Sequence, residues 1–319
     1  MIPSSLRNRR PCPGDCYYST GEARRNHERP LGTIVEAQLS PTGWNARVRM
    51  RDNGIEEVSW SRFDDPPFQP RSWTLREMYE VYAPSVFGVE VRKSSGDSGI
   101  GTGFHIGDGF LVTARHVVDE VTVEKIFNTE SYPRPVPEEE RFEYLSPLET
   151  TTHEGPWFHP DDAIDVAILR VKELAEYPNI PLGTHLEDYL KPTDYPLREV
   201  LIMGYPPIPR SFECTVATRA EINAAVQPYN NRYSEFIVSS TPRGGFSGAP
   251  CLIEWGFGLG MVTGAAHKMG DSYQLGFMSV LTVDPIYDTL FENELVVTEI
   301  DTFFRKNPPP APEDLCDDR

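Results

Sequence analysis

Gly101-Thr102-Gly103-Phe104, then Phe110-Leu111-Val112-Thr113-Ala114-Arg115-His116, and later Gly244-Gly245-Phe246-Ser247-Gly248-Ala249-Pro250, decide how this chain is read. The first two runs set a histidine at the end of an apolar strand, and the third sets a serine in a glycine-rich turn. A serine hydroxyl is a poor nucleophile at neutral pH. Acyl transfer therefore needs an imidazole to take its proton and a third group to hold that imidazole in the right tautomer. Asp165 is the candidate for the third role. In Ala163-Ile164-Asp165-Val166-Ala167-Ile168-Leu169 an acid interrupts an otherwise apolar strand, which points to a buried, hydrogen-bonded carboxylate. The chain order is His, Asp, Ser, separated by 49 and 82 positions.

In this order and at this spacing the three segments resemble the trypsin-like (chymotrypsin-fold) serine peptidases, especially the disulfide-poor branch with the HtrA-type and glutamyl-endopeptidase-type enzymes. The resemblance covers residues 84 to 290. It implies an all-β-dominated double β-barrel, with His116 and Asp165 from the first barrel and Ser247 from the second. It also implies a serine endopeptidase that cleaves protein substrates through an acyl-enzyme and uses no cofactor or metal. Ser247 Oγ would attack the peptide carbonyl, His116 would accept and return the proton, and Asp165 would orient the imidazolium. The amides of Gly245 and Ser247 would form the oxyanion hole. Taken singly, the same residues have plainer readings: His116 as a core histidine, Asp165 as a cap, Ser247 as a turn residue. Two other functions stay open at this point, a catalytically inactive binding module on the same fold and a non-peptidase acyl hydrolase.

By the same resemblance, the base of the substrate pocket is Thr241, Pro242 and Arg243, which carry no carboxylate and so argue against a preference for Lys or Arg. The small residues Thr263, Gly264, Ala265 and Gly276 would leave the pocket open to a neutral or apolar side chain. Thr263 stands where the family places a serine that bonds the catalytic Asp, although ordinary β-propensity explains a threonine there too. His267 is read either as a contact for an acidic side chain or as a surface residue. Two departures from the secreted trypsin-like pattern stand out. Val117 replaces the cysteine that follows the catalytic His, and Phe246 replaces the acid that pairs with a newly cut N-terminus.

At 319 residues the chain exceeds a two-barrel peptidase of about 200 residues, so an added module is expected. The net charge of −18 repels phosphate backbones and argues against nucleic acid as the main partner. No run of 18 apolar residues occurs and Met1 to Arg10 contain no apolar segment, so neither a membrane partner nor a secretory signal is expected. The five cysteines, Cys12, Cys16, Cys214, Cys251 and Cys316, are an odd count, which fits a reducing, cytoplasmic setting. Cys12 and Cys16 lack a second ligand pair at zinc-finger spacing.

Residues 1–30 are polar, rich in Arg and Pro and aperiodic, and read as disordered or loosely attached. In 31–70 three alternating runs, broken by Ser40-Pro41-Thr42-Gly43 and Asp52-Asn53-Gly54, predict a small SH3-like or Tudor-like β module followed by a Pro-rich linker. This module is the expected contact for a regulatory or sensor protein. The peptidase unit is expected over 71–295, entered by a short helix with a capping box at Thr74-Leu75-Arg76-Glu77. A long hairpin or loop insertion is expected between Lys125 and Pro160. A helix is expected from Pro285 to about Phe291, and a terminal helix, near Val297 to Phe304, with an acidic tail over 296–319.

Overall fold

The computed structural model describes residues 16–17, 32–40, 43–50, 55–61, 68–69, 73–135, 142–183, 195–229, 232–241, 243–254, 256–267, 274–298 and 300. Near the N-terminus, β1 (Cys16–Tyr17), β2 (Gly32–Ser40), β3 (Gly43–Met50), β4 (Ile55–Ser61) and β5 (Phe68–Gln69) form an antiparallel sheet in the order β4-β3-β2-β1-β5. The three expected strands are β2 to β4. Cys16 and Tyr17 fall in the stretch expected to be disordered or loosely attached, yet they pair with Gly32–Thr33 on one side and Phe68–Gln69 on the other. Such a two-residue strand is too short to leave a periodic signal, and only its long-range pairing defines it.

The entry helix α1 (Leu75–Tyr82) begins as its sequence requires. Thr74 Oγ1 accepts the Glu77 N–H at 3.2 Å and the Glu77 carboxylate accepts the Thr74 N–H at 2.9 Å, which satisfies two otherwise orphaned donors. Its buried face, Met78 and Tyr82, joins the main core, and the Tyr82 hydroxyl donates to the Gly256 carbonyl at 2.7 Å.

The first half of the peptidase unit is built from β6 (Val86–Lys93), β7 (Ser98–His105), β8 (Phe110–Thr113), the one-turn helix α2 (Arg115–Val118), β9 (Val121–Phe127), the hairpin β10 (Tyr132–Pro135) and β11 (Phe142–Leu145), then β12 (Glu149–Thr150), β13 (Glu154–Phe158) and β14 (Ala167–Arg170). Seven of these strands form one sheet, ordered β12-β9-β6-β7-β8-β14-β13, with the β10–β11 hairpin as a separate excursion where the insertion was expected. The second half is a closed antiparallel barrel of β15 (Glu199–Gly204), β16 (Val216–Val226), β17 (Glu235–Val238), β18 (Pro250–Ile253), β19 (Phe257–His267) and β20 (Gln274–Thr282), followed by α3 (Asp284–Glu292). One apolar core cluster, reaching from Met78 to Val297, joins both halves. The expected all-β double-barrel class is therefore the observed one, with the first unit a curved open sheet and the second a closed barrel. The expected helix from Val297 to Phe304 lies mostly outside the described residues.

Candidate active site

His116 and Asp165 come together across the first sheet. Asp165 Oδ2 accepts the His116 Nδ1–H at 2.7 Å, and Oδ1 accepts the His116 backbone N–H at 2.9 Å. A carboxylate can only accept here, so Nδ1 carries the proton and the Nε2 lone pair is left for another donor. The imidazole is 51 % exposed and the carboxylate 27 % exposed, so the pair is open to solvent rather than part of the core. The hydrogen bond to Asp165 raises the His116 pKa above its ordinary 6.5, against partial desolvation, with Coulombic attraction to the same carboxylate adding to the rise.

Two local expectations need correction. His116 is not the last residue of a strand, because β8 ends at Thr113 and His116 lies in α2, where Val117 and Val118 turn inward and leave the imidazole outside. Asp165 does not interrupt a strand either, since β14 starts at Ala167. The Ile164 N–H bonds Asp161 O and the Val166 N–H bonds Ile164 O, both at 3.0 Å, so the chain turns tightly at Asp165 before pairing begins. Ile164 and Val166 are buried on either side of the acid, and that alternation is what imitated a strand.

Nothing in the sequence marks Arg115, yet it ties α2 to the Asp165 loop. Its Nε bonds Asp119 at 2.9 Å, its Nη1 bonds Asp162 at 2.7 Å, and its guanidinium lies 4.7 Å from the Phe158 ring centroid.

Ser247 stands in the turn between β17 and β18. The turn packs on the first sheet: Thr102 N–H donates to Ser247 O at 2.8 Å, and Gly248, at φ +87°, presses against Thr102 O, Thr113 Oγ1 and Ala114 N, where a Cβ would collide. These contacts bring the serine turn against the residues that lead into His116. Among the described residues no hydrogen bond joins Ser247 to His116; such bonds are commonly long without substrate and tighten in the complex.

Three amides of the turn are used within the fold. Phe246 N–H bonds Arg243 O at 3.3 Å, Gly248 N–H bonds Val262 O at 2.7 Å and Ala249 N–H bonds Phe246 O at 2.9 Å. Among the described residues the Gly245 and Ser247 N–H groups have no partner, and these are the two donors expected at an oxyanion hole. Gly245 has φ +95°, and a Cβ there would sit 2.5 Å from Tyr205 O, so only glycine fits. Phe246 is buried at 3 % exposure, so apolar packing anchors the turn where the secreted enzymes use an acid.

The expected substrate pocket is only partly described. Thr241 and Arg243 are exposed, Thr263 and Gly264 are half-buried on β19, and Gly276 is exposed on β20 at φ +80°. Ala265 pairs with Met278, and Pro242 lies outside the described residues. Among the described residues no hydrogen bond joins Thr263 to Asp165, whose two oxygens both serve His116. His267 pairs with Gln274 at the far end of the β19–β20 ribbon. A cleft of about 530 Å³ is lined by Gly244 and Gly245 together with Ser98–Ile100 and the Tyr205–Cys214 loop, and none of Thr241, Thr263, Gly264 or Gly276 lines it. The described residues contain no cluster of three or more metal-ligating side chains.

The chain is similar to the following solved structures. The Rv3671c protease from M. tuberculosis in its active form is 22 % identical over 67 % of this chain and 82 % of its own, with a TM-score of 0.47. The HtrA-type protease AlgW with a tripeptide is 18 % identical over 70 % and 65 %, at a TM-score of 0.49. A serine endoprotease from Yersinia pestis is 17 % identical over 70 % and 66 %, at 0.47. No curated protein matches significantly. The family model described as trypsin-like peptidase domain matches residues 101–261, a span holding His116, Asp165, the serine turn and half of the chain. The chain belongs to the trypsin-like peptidase family.

Proposed function

We propose that this member of the family is an active serine endopeptidase, with Ser247 as nucleophile, His116 as general base and then general acid, and Asp165 as the group that orients His116. The observation that carries this reading is the doubly bonded His116–Asp165 pair set beside a serine turn with two unspent amides. Ser247 Oγ attacks the carbonyl carbon of the scissile peptide while its proton passes to His116 Nε2. The carbonyl oxygen becomes an oxyanion, which the Gly245 and Ser247 N–H groups stabilise. The imidazolium, held by Asp165, gives the proton to the leaving amine. Water then repeats the sequence on the acyl-enzyme.

Within this proposal the site acts in a reducing compartment, since Cys214 and Cys251 are both free. Control lies with a protein partner rather than with propeptide removal, because the buried Phe246 leaves no carboxylate to pair with a new N-terminus. The N-terminal sheet is the proposed partner contact.

The test is labelling with a fluorophosphonate probe together with cleavage of unfolded casein. The wild-type chain should label and cleave, and Ser247→Ala should do neither. A wild-type chain that takes no label in any state would make the fold a binding module instead.

A further inference from the structure

The residue that grips the serine turn is Thr102, on β7, whose side chain is fully buried. Its N–H donates to Ser247 O at 2.8 Å. Its hydroxyl donates to Gly245 O at 2.6 Å and accepts the Tyr205 N–H at 2.9 Å. Its carbonyl accepts the Thr113 hydroxyl at 2.7 Å. One residue of the first sheet thus bonds the carbonyls on both sides of the Phe246 peptide, and all its polar atoms are engaged.

Beyond the Gly245 N–H come the Gly245–Phe246 peptide plane and then the Phe246–Ser247 plane, which carries the Ser247 N–H, so the angle between the two free amides depends on how those planes are held. The second plane is pinned by Ala249 N–H on Phe246 O at 2.9 Å. The first is pinned at its carbonyl by the Thr102 hydroxyl at 2.6 Å and at its N–H by Arg243 O at 3.3 Å, the longer of the two bonds. Glycine imposes no side-chain barrier against turning that plane. Beside the packing of the buried Phe246 ring, the hydroxyl is therefore the shorter of the two hydrogen-bonded restraints on that plane.

We propose that Thr102 is a positioning residue: its hydroxyl locks the Gly245–Phe246 peptide in the orientation that aims the Gly245 and Ser247 amides at one oxygen. Thr102 touches no substrate and acts through Gly245. The proposal rests on the peptidase reading above. A preformed set of donors costs no reorganisation when charge develops, and a turned peptide would lose one of them.

Thr102→Val removes the hydroxyl at nearly constant volume, whereas Thr102→Ser keeps it. For T102V the expected result is fluorophosphonate labelling slower by about 10²-fold and a matching fall in casein turnover at unchanged KM, with T102S within about threefold of wild type. Circular dichroism checks that each variant is folded. Should T102V fail to fold, Thr102→Ala is measured instead, with the same expectation. Equal labelling of wild type and the hydroxyl-free variant overturns the assignment, as does a T102S variant as slow as T102V. A wild-type chain that never labels overturns the peptidase reading itself, and the role of Thr102 with it.

Discussion

Because Asp165 takes both the ring and the backbone N–H of His116, the charged imidazole is favoured and its pKa stands above 6.5. The base must be neutral to accept the serine proton, so the acid limb of kcat/KM should lie above pH 6.5 and activity should fall as pH drops through it. Asp165→Asn should move that limb to lower pH and lower turnover by about 10⁴-fold. A limb that stays in place in the variant would remove Asp165 from its role. Stability has the opposite sign: a group whose pKa is raised on folding contributes below its unfolded value and loses that contribution as pH rises through the folded one. At this scale the sequence is informative for the groups of the proposed reaction. His116, Asp165, Gly245 and Ser247 stand out in it because acyl transfer restricts residue type. Thr102 and Arg115 do not, because their importance lies in which backbone and which loop they hold, and that is settled by packing. The one hint was a threonine between two glycines in a strand otherwise bound for the core.

The loop that carries Asp165 is fixed from beneath by a chain of side chains joining three elements. His159, 2 % exposed just after β13, accepts the Asp161 N–H on Nδ1 at 3.0 Å and faces the Tyr233 hydroxyl through Nε2 at 3.0 Å. Tyr233 donates to the Asp288 carboxylate of α3, and Arg232 bonds the same carboxylate at 2.7 Å. Burial, and then the adjacent carboxylate, push the Tyr233 phenol up to about 12, so it remains a donor throughout the physiological range. Tyr233→Phe would leave the His159 Nε2–H buried without its partner, at a cost of about 1–3 kcal/mol. Thermal melting should show Tm lower by about 2–4 °C for each kcal/mol; an unchanged Tm would mean that the chain of bonds contributes nothing. Element types were read well where a local signal exists, as in the Thr74–Glu77 capping box and in α3, expected over 285–291 and observed over Asp284–Glu292. They were read poorly at Asp165, where burial on alternate residues imitated a strand. At Cys16–Tyr17 the partners lie far along the sequence.

The main core cluster runs from Met78 to Val297 and does not include Ala46 or Val48, the buried apolar residues described in the N-terminal sheet. A chain lacking residues 1–70 should therefore fold and still react with a fluorophosphonate, while cleavage of the natural substrate changes. Insolubility of the shortened chain would make the N-terminal sheet a structural part of the enzyme. The two-unit organisation was legible because the His, Asp and Ser segments fall in a fixed order, whereas the closure of the second barrel and the openness of the first sheet depend on strand neighbours that periodicity does not report. That closure is made by β15 against β18, with Ile202 opposite Cys251. Cys251 is wholly inaccessible and burial holds its thiol far above the ordinary cysteine range, so an electrophile meets neither an exposed sulfur nor a thiolate while the seam is shut. Alkylation at Cys251, followed by mass spectrometry of the peptide that contains it, is thus a clock for opening of the seam: at high reagent concentration its rate should level off at the opening rate itself, and an occupant of the neighbouring serine turn should slow the clock.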